Sequence, residues 1–380
     1  MKKMKIHDIL DEMQYALTHI EETVNSKKRS GSKVIGCAPI FVPEELVIAS
    51  GAFPVGVWGA EKVILSEAME YYPPFACSVV QSITELSARG KYDALDAILL
   101  TSLCDTLKCM SQTIHLSAPK LRTIFVKHPQ NYRLECAVEY MVKEFTRVKE
   151  ELEDVTGKVI TSEAIRKAIS LCNEDREALL KFTNLLAVKP GILTNRERHA
   201  VIKSRLYMDR VRHLELMREL NSLLEEYHSP VFEGIRLYVC GIMLEPLELL
   251  DILDEYGFTI VGDELAQESR QFRYKIPEGL DQIERFARQI QQIRGEAFFY
   301  DPVKERDDIV INECKNCGAQ AVLFASMKFC DTDEYDYPWI RQAIKKIGLP
   351  ILNLEIEETM QSFEGVRTRI QAFSEQICSR

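Results

Sequence analysis

Cysteine offers this chain its richest chemistry, and four of the eleven cysteines occupy one kind of position. They are Cys37 in KVIGCAP, Cys77 in PPFACS, Cys104 in ILLTSLCDT and Cys330 in VLFASMKFCDTDEYDYP. Each falls just past a short β-branched run or at the start of a nearby helix. Open parallel sheets bind ligands in the crevice outside the carboxyl ends of their strands, so thiolates gathered there make one shared inorganic site, not disulfides. For any single cysteine the alternative is a small buried side chain closing a strand, since free cysteine is among the most buried residue types. Cys104 and Cys330 weaken that alternative together, because each ends a predicted strand and is followed at once by aspartate. Cys77 opens FACSVVQSITELSARG, where a helix dipole favours a thiolate, although helix packing would also account for it. Cys37 precedes a proline in a tight loop that presents its side chain to the crevice.

The other seven cysteines carry less. Cys314 and Cys317 form a C-x-x-C, but DDIVINECKNCGAQ reads as a helix ending at Gly318 ahead of a strand, at the amino end of a sheet. No second pair accompanies it for zinc, which leaves a structural role. Cys109, Cys136, Cys172, Cys240 and Cys378 belong to no constellation. Two polar clusters also follow strands: HPQN, His128 to Asn131, and DELAQESRQFR, Asp263 to Arg273. They either cap helices and bridge domains, or support a bound cluster and tune its potential. The acids of DTDEYDYP after Cys330 begin a helix and complement its dipole. The sequence contains neither G-x-x-x-x-G-K-[ST] nor G-x-G-x-x-G, so neither ATP nor a dinucleotide has an evident cradle.

The elements that must position these residues alternate as βαβ units. Strands are predicted at 34–36, 54–58, 97–101 and 123–127, then at 235–240, 258–262, 321–325 and 351–356. Between about 142 and 227 the strand signal vanishes into charged, amphipathic helical stretches. The expected organisation is an N-terminal helical segment (1–32), a first α/β domain (33–153), a helical connector (154–228) and a second α/β domain (229–380). The halves share a register. Cys37 is followed six residues later by Pro43, and Cys240 six residues later by Pro246; each proline opens a helix that ends in glycine. The expected fold is α/β: two Rossmann-like, flavodoxin-like parallel-sheet domains joined by a helical segment, with the cluster site in the interdomain cleft.

Composition narrows the partners. A length of 380 residues suggests two or three domains. A net charge of −10 without a basic stripe argues against nucleic acid. Asp8, Asp11 and Glu12 interrupt the N-terminal segment, which reads as an amphipathic helix and not a signal peptide, and no stretch has the length of a membrane span. Eleven cysteines in a long chain of this kind argue against a disulfide scaffold. A cytoplasmic protein is expected.

The blocks IGCAPIFVPEEL, GVWG, YYPPFACSVVQS, LCDTLKCMSQ, HPQN, DELAQESRQFR, YDP at 300–302, MKFCDTDEYDYP and RTRIQAFSE, in that order, resemble the β subunits of 2-hydroxyacyl-CoA dehydratases. The similarity runs from about Lys33 to the carboxyl end. It is greatest to β subunits acting on 2-hydroxyisocaproyl-CoA, phenyllactyl-CoA or 2-hydroxyglutaryl-CoA in anaerobic amino-acid fermentation, and more distant to benzoyl-CoA reductase subunits and double-cubane proteins.

The resemblance implies a heterodimer with a dehydratase α subunit, each subunit holding a 4Fe-4S cluster on three cysteines. It carries the ligand role onto Cys77, Cys104 and Cys330. Related α subunits have serine where this chain has Cys37, which leaves Cys37 as a fourth ligand or a neighbour of the fourth iron. It further implies a hydro-lyase in which a ketyl radical permits syn or anti loss of water to a 2-enoyl-CoA. The β cluster would store and relay an electron from an ATP-dependent iron-sulfur activator, and the 2-hydroxyacyl-CoA would bind mainly in the α subunit. The acyl group, the stereochemistry and any assembly beyond the heterodimer stay open. Two other readings stay open as well: a benzoyl-CoA-reductase-like or double-cubane reductase subunit, and a non-catalytic zinc or thiolate scaffold module.

Overall fold

The computed structural model describes residues 2–228 and 231–379. The chain opens with α1 (Lys2–Thr18) and α2 (Ile20–Arg29). The first sheet follows, built from β1 (Val34–Ala38), α3 (Glu44–Ala49), β2 (Phe53–Gly56), α4 (Ser78–Ala88), β3 (Ala97–Thr101), α5 (Asp105–Ser117) and β4 (Arg122–Val126). A helical stretch of α6 (Glu135–Thr156), α7 (Ser162–Val188), α8 (Asn195–Ser204) and α9 (Arg210–Glu225) leads to the second sheet. That half comprises β5 (Ile235–Gly241), α10 (Glu248–Glu255), β6 (Phe258–Leu265), α11 (Gln282–Gln292), α12 (Glu305–Asn316), β7 (Ala321–Met327), α13 (Asp331–Lys346), β8 (Ile351–Ile356) and α14 (Glu364–Cys378).

Both sheets are four-stranded and wholly parallel, in the orders β2-β1-β3-β4 and β6-β5-β7-β8. This is the doubly wound order in which the chain reverses direction beside the first strand, opening a crevice between β1 and β3 and another between β5 and β7. The inner strands β1, β3 and β7 are buried at every residue, which is why they read as continuous apolar runs and not as alternating ones. The helices α3 and α10 each end in a glycine at φ 77°, Gly51 and Gly257, a left-handed stop that other residues resist.

One hydrophobic core runs through both halves, from Ile35 and Leu99 to Leu237, Leu323 and Phe373. In space, α1 shares a separate core with α7, α8 and α9 through Met13, Phe182, Val201 and Met217, so the chain's first helix completes the helical layer. The strand β6 runs three residues past its expected end, through Leu265, because β5 continues to Gly241 beside it. The DEL of DELAQESRQFR therefore lies inside the sheet.

Candidate functional site

Cys77, Cys104 and Cys330 are all N-cap residues, of α4, α5 and α13 respectively. A helix N-terminus leaves backbone N–H groups without partners and carries partial positive charge, so it stabilises a sulfur anion placed on it. The Leu107 N–H donates to Cys104 Sγ at 3.4 Å, and the backbone N–H groups of Val79 and Val80 beside Cys77, like that of Thr106 beside Cys104, pull against the effect of burial on the thiol. At Cys330 the sulfur lies 3.4 Å from Thr332 Oγ1, and the Asp333 N–H donates to the Cys330 carbonyl at 3.1 Å.

Local packing fixes each cap. The buried Glu85 on α4 accepts from Ser66 N at 2.9 Å and Ala68 N at 2.8 Å, pinning the loop that descends to Cys77. The Tyr72 hydroxyl bonds Thr113 on α5, tying that loop to the helix behind Cys104. On the other side, Phe329 at φ 64° turns the chain out of β7, and the Phe329 N–H reaches Glu334 Oε1 at 3.2 Å.

The three thiols converge. Cys77 is within electrostatic reach of both others: Cys104 raises the Cys77 thiol, and Cys77 raises that of Cys330. Burial is the larger cause in both, pushing Cys77 up to about 12 and Cys330 higher still. Buried thiols of this kind stay protonated unless a cationic centre deprotonates them, which coordination to a metal does outright. The three sulfurs do not all lie within 4.8 Å of one another. They are too far apart for the ligand shell of one ion. The donor set of three soft thiolates, each steadied by backbone N–H groups, suits an iron-sulfur cluster.

Cys37 has different surroundings. It sits within β1, buried, and its strongest charged neighbours are Glu44, Arg210, Glu45 and Arg205. It lines a cavity of about 60 Å³ together with Arg176, Arg205 and Arg270. Among the described residues, the tight grouping of three metal-capable donors is Glu44, Glu45 and Cys172. Its carboxylates are already engaged, Glu45 by Arg176 and Glu44 by Arg205 and Arg210, so it is an ionic knot and not a metal seat.

The remaining sequence candidates are structural. Cys314 lies on the buried side of α12, Cys317 caps its end, and both pack with Cys240 and Tyr238 on the outer face of the second sheet. The HPQN loop clamps the halves together, with Gln130 O accepting from Tyr300 N at 3.1 Å, while burial pushes the His128 imidazole down to about 4.

Sequence reasoning missed the wedge formed by α8, the charged run NRERHAVIKS within the helical connector. In the fold Arg198 and His199 are buried. Arg198 pairs with Asp263 and Glu268, His199 bridges Glu245 and Glu268, and Lys203 pairs with Glu245, while Arg205 and Arg210 reach back to Glu44. With Arg205 and Arg210 just beyond it, the wedge thus couples the start of α3 to the loop after β5 and to the end of β6 with the loop that follows. Buried pairs of this kind cost desolvation, and they hold register more than they add stability.

The chain matches the 2-hydroxyglutaryl-CoA dehydratase D-component family over residues 39–377, a span that takes in Cys77, Cys104 and Cys330. It is 38% identical to the (R)-phenyllactyl-CoA dehydratase beta subunit of Clostridium sporogenes, over 96% of this chain and 95% of the relative. It is 37% identical to the lactoyl-CoA dehydratase subunit beta of Anaerotignum propionicum, over 98% of this chain and all of the relative. Identity to the (R)-2-hydroxyglutaryl-CoA dehydratase subunit beta of Acidaminococcus fermentans is 31%, again over 98% of this chain and all of the relative. No helix among the described residues is long and apolar enough to cross a membrane. With two matching four-stranded parallel sheets and full-length similarity to three dehydratase β subunits, the chain belongs to the 2-hydroxyglutaryl-CoA dehydratase D-component family.

Proposed function

We propose that this chain is the β subunit of a 2-hydroxyacyl-CoA dehydratase, a hydro-lyase, and that Cys77, Cys104 and Cys330 hold a 4Fe-4S cluster. The observation that carries the reading is that these three thiols stand at three helix N-termini with Cys77 in electrostatic reach of both Cys104 and Cys330. Such a cluster supplies one-electron storage and transfer, which makes the unactivated β proton of a 2-hydroxyacyl thioester acidic once the thioester has been reduced to a radical. The chain's own residues orient the three sulfurs, pack against them on the core side and supply backbone N–H groups that favour the thiolate state. Cys37 lines the arginine-rich cavity and stands as a candidate neighbour of the fourth iron.

The reading requires two partners. An α subunit would contribute most of the acyl-CoA site, in keeping with the relatives named as beta subunits. A separate ATP-hydrolysing iron-sulfur activator would deliver the initiating electron, which agrees with the absence of a phosphate-loop motif in this sequence. The test is anaerobic co-expression with the α subunit and assay against a panel of 2-hydroxyacyl-CoA esters in the presence of activator and ATP. Dehydration that needs both chains supports the proposal. Turnover by either chain alone contradicts it.

A further inference from the structure

A second buried constellation lies behind Cys330, and neither the ligand set nor the helical wedge absorbs it. Arg306, on the first turn of α12, is 2% exposed. Its guanidinium forks onto Glu264 of β6, with Nε at 3.0 Å and Nη2 at 2.6 Å from Oε1. The third nitrogen, Nη1, lies 2.7 Å from Asp333 Oδ1 and 3.2 Å from Asp336 Oδ2, both on α13. Arg270 supports the same group: Nη1 donates to Glu296 Oε1 at 2.8 Å, and Nη2 lies 3.9 Å from Asp333 Oδ1. Asp333 is wholly buried, and its N–H donates to Cys330 O at 3.1 Å.

Anchoring α13 does not require this chemistry, since apolar packing would anchor it at lower desolvation cost. What the pair adds is charge in a dry place beside a thiolate. Asp333 is the strongest charged neighbour of Cys330, and Arg306 is its nearest counter-ion. In a low-dielectric interior such charges act over several ångströms without screening. Cluster potentials respond to local charge of this kind.

We propose that the buried Arg306–Asp333 pair sets the reduction potential of the cluster held through Cys330. The proposal rests on the cluster reading above. Arg306 and Asp333 act through Cys330 and are positioning residues. The step they influence is uptake of one electron from a mediator, with no proton or group transferred.

The test is a mediated redox titration of the anaerobic holoenzyme at one fixed pH, followed by electron paramagnetic resonance. Asp333→Asn removes a negative charge with the shape preserved, and should favour the reduced cluster about tenfold, a shift of about 59 mV upward for a one-electron couple. Arg306→Gln should shift it downward by a similar factor, while Arg306→Lys stays near the parent value. Asp336→Asn, at the rim where Lys304 also pairs, should move it far less. Opposite signs are the signature, because a purely structural disturbance would move both variants the same way. Unchanged potentials in iron-replete Asp333→Asn would overturn the proposal, whether or not Arg306→Gln folds. An iron-free parent protein would instead refute the cluster reading itself.

Discussion

The hydroxyl of Ser78 accepts the backbone N–H of Glu358 at 2.9 Å. The residue next to Cys77 is thereby stitched to the segment that follows β8, and the same oxygen lies 3.3 Å from Met327 Sδ at the end of β7. The two halves meet at the cap that presents Cys77.

Ser78→Ala leaves that buried N–H without an acceptor. The expected cost is about 1–3 kcal/mol of stability, the desolvation penalty of one orphaned group. Denaturant unfolding of the variant against the parent measures it, and a loss within error would remove this bond as a tie between the halves.

The chain turns at Gly59 with φ 91°, and a Cβ there would collide with the Glu358 carboxylate and lie 2.7 Å from Ser82 Oγ. Gly59→Ala therefore combines a strained backbone with a steric clash. We expect a stability loss of about 1–3 kcal/mol or more, read as a lowered unfolding midpoint. Gly31→Ala, also at positive φ but with open space around it, provides the strain-only comparison.

His199 places Nε2 3.0 Å from Glu245 Oε1 and Nδ1 2.8 Å from Glu268 Oε1. Burial opposes its charge, but the two carboxylates prevail and raise its pKa above the ordinary 6.5. A raised folded-state pKa means this contribution is complete below the unfolded value and is lost as pH rises through the folded one. Thermal unfolding followed from about pH 6 to pH 9 should show a decline that His199→Gln flattens. Glu245 and Glu268 are held down to about 2 against their own burial by Lys203, Arg198 and His199. Their contribution is present above the ordinary carboxylate range and is lost as pH falls towards about 2.

Thiol accessibility separates the cysteines without reference to activity. Cys109, Cys136 and Cys378 are exposed and should label rapidly with a maleimide in the native state. Cys314 and Cys317 are buried, and burial pushes the Cys317 thiol up to about 11, so both should label only on unfolding. Native labelling of the C-x-x-C, mapped by peptide mass spectrometry, would contradict its placement in the core.

The strands were legible because parallel strands buried on both faces leave continuous apolar runs such as AILLT and AVLFASM, and both runs became strands at the expected positions. The duplication was legible in the matched spacing of Cys37 to Pro43 and Cys240 to Pro246, and the two sheets have the same strand order. The structure brings Cys77, Cys104 and Cys330 together and gives Cys37 its own arginine-lined surroundings, a distinction that position along a strand could not draw. The wedge of α8 was not legible, because Arg198, His199 and Lys203 carry the composition of a solvated helix, and the first two are buried and the third half-buried only through partners more than forty residues away. The same holds for Arg306, whose partners Glu264 and Asp333 arrive from different elements.

The most direct measurement is iron and acid-labile sulfide content per chain after anaerobic purification, for the parent and for single cysteine-to-serine variants. The parent should carry about four irons per chain by the usual cubane ligation. Near-complete loss is expected in Cys77→Ser, Cys104→Ser and Cys330→Ser, with full retention in Cys314→Ser. Zinc in place of iron, or retention of iron in the first three variants, would contradict the cluster assignment.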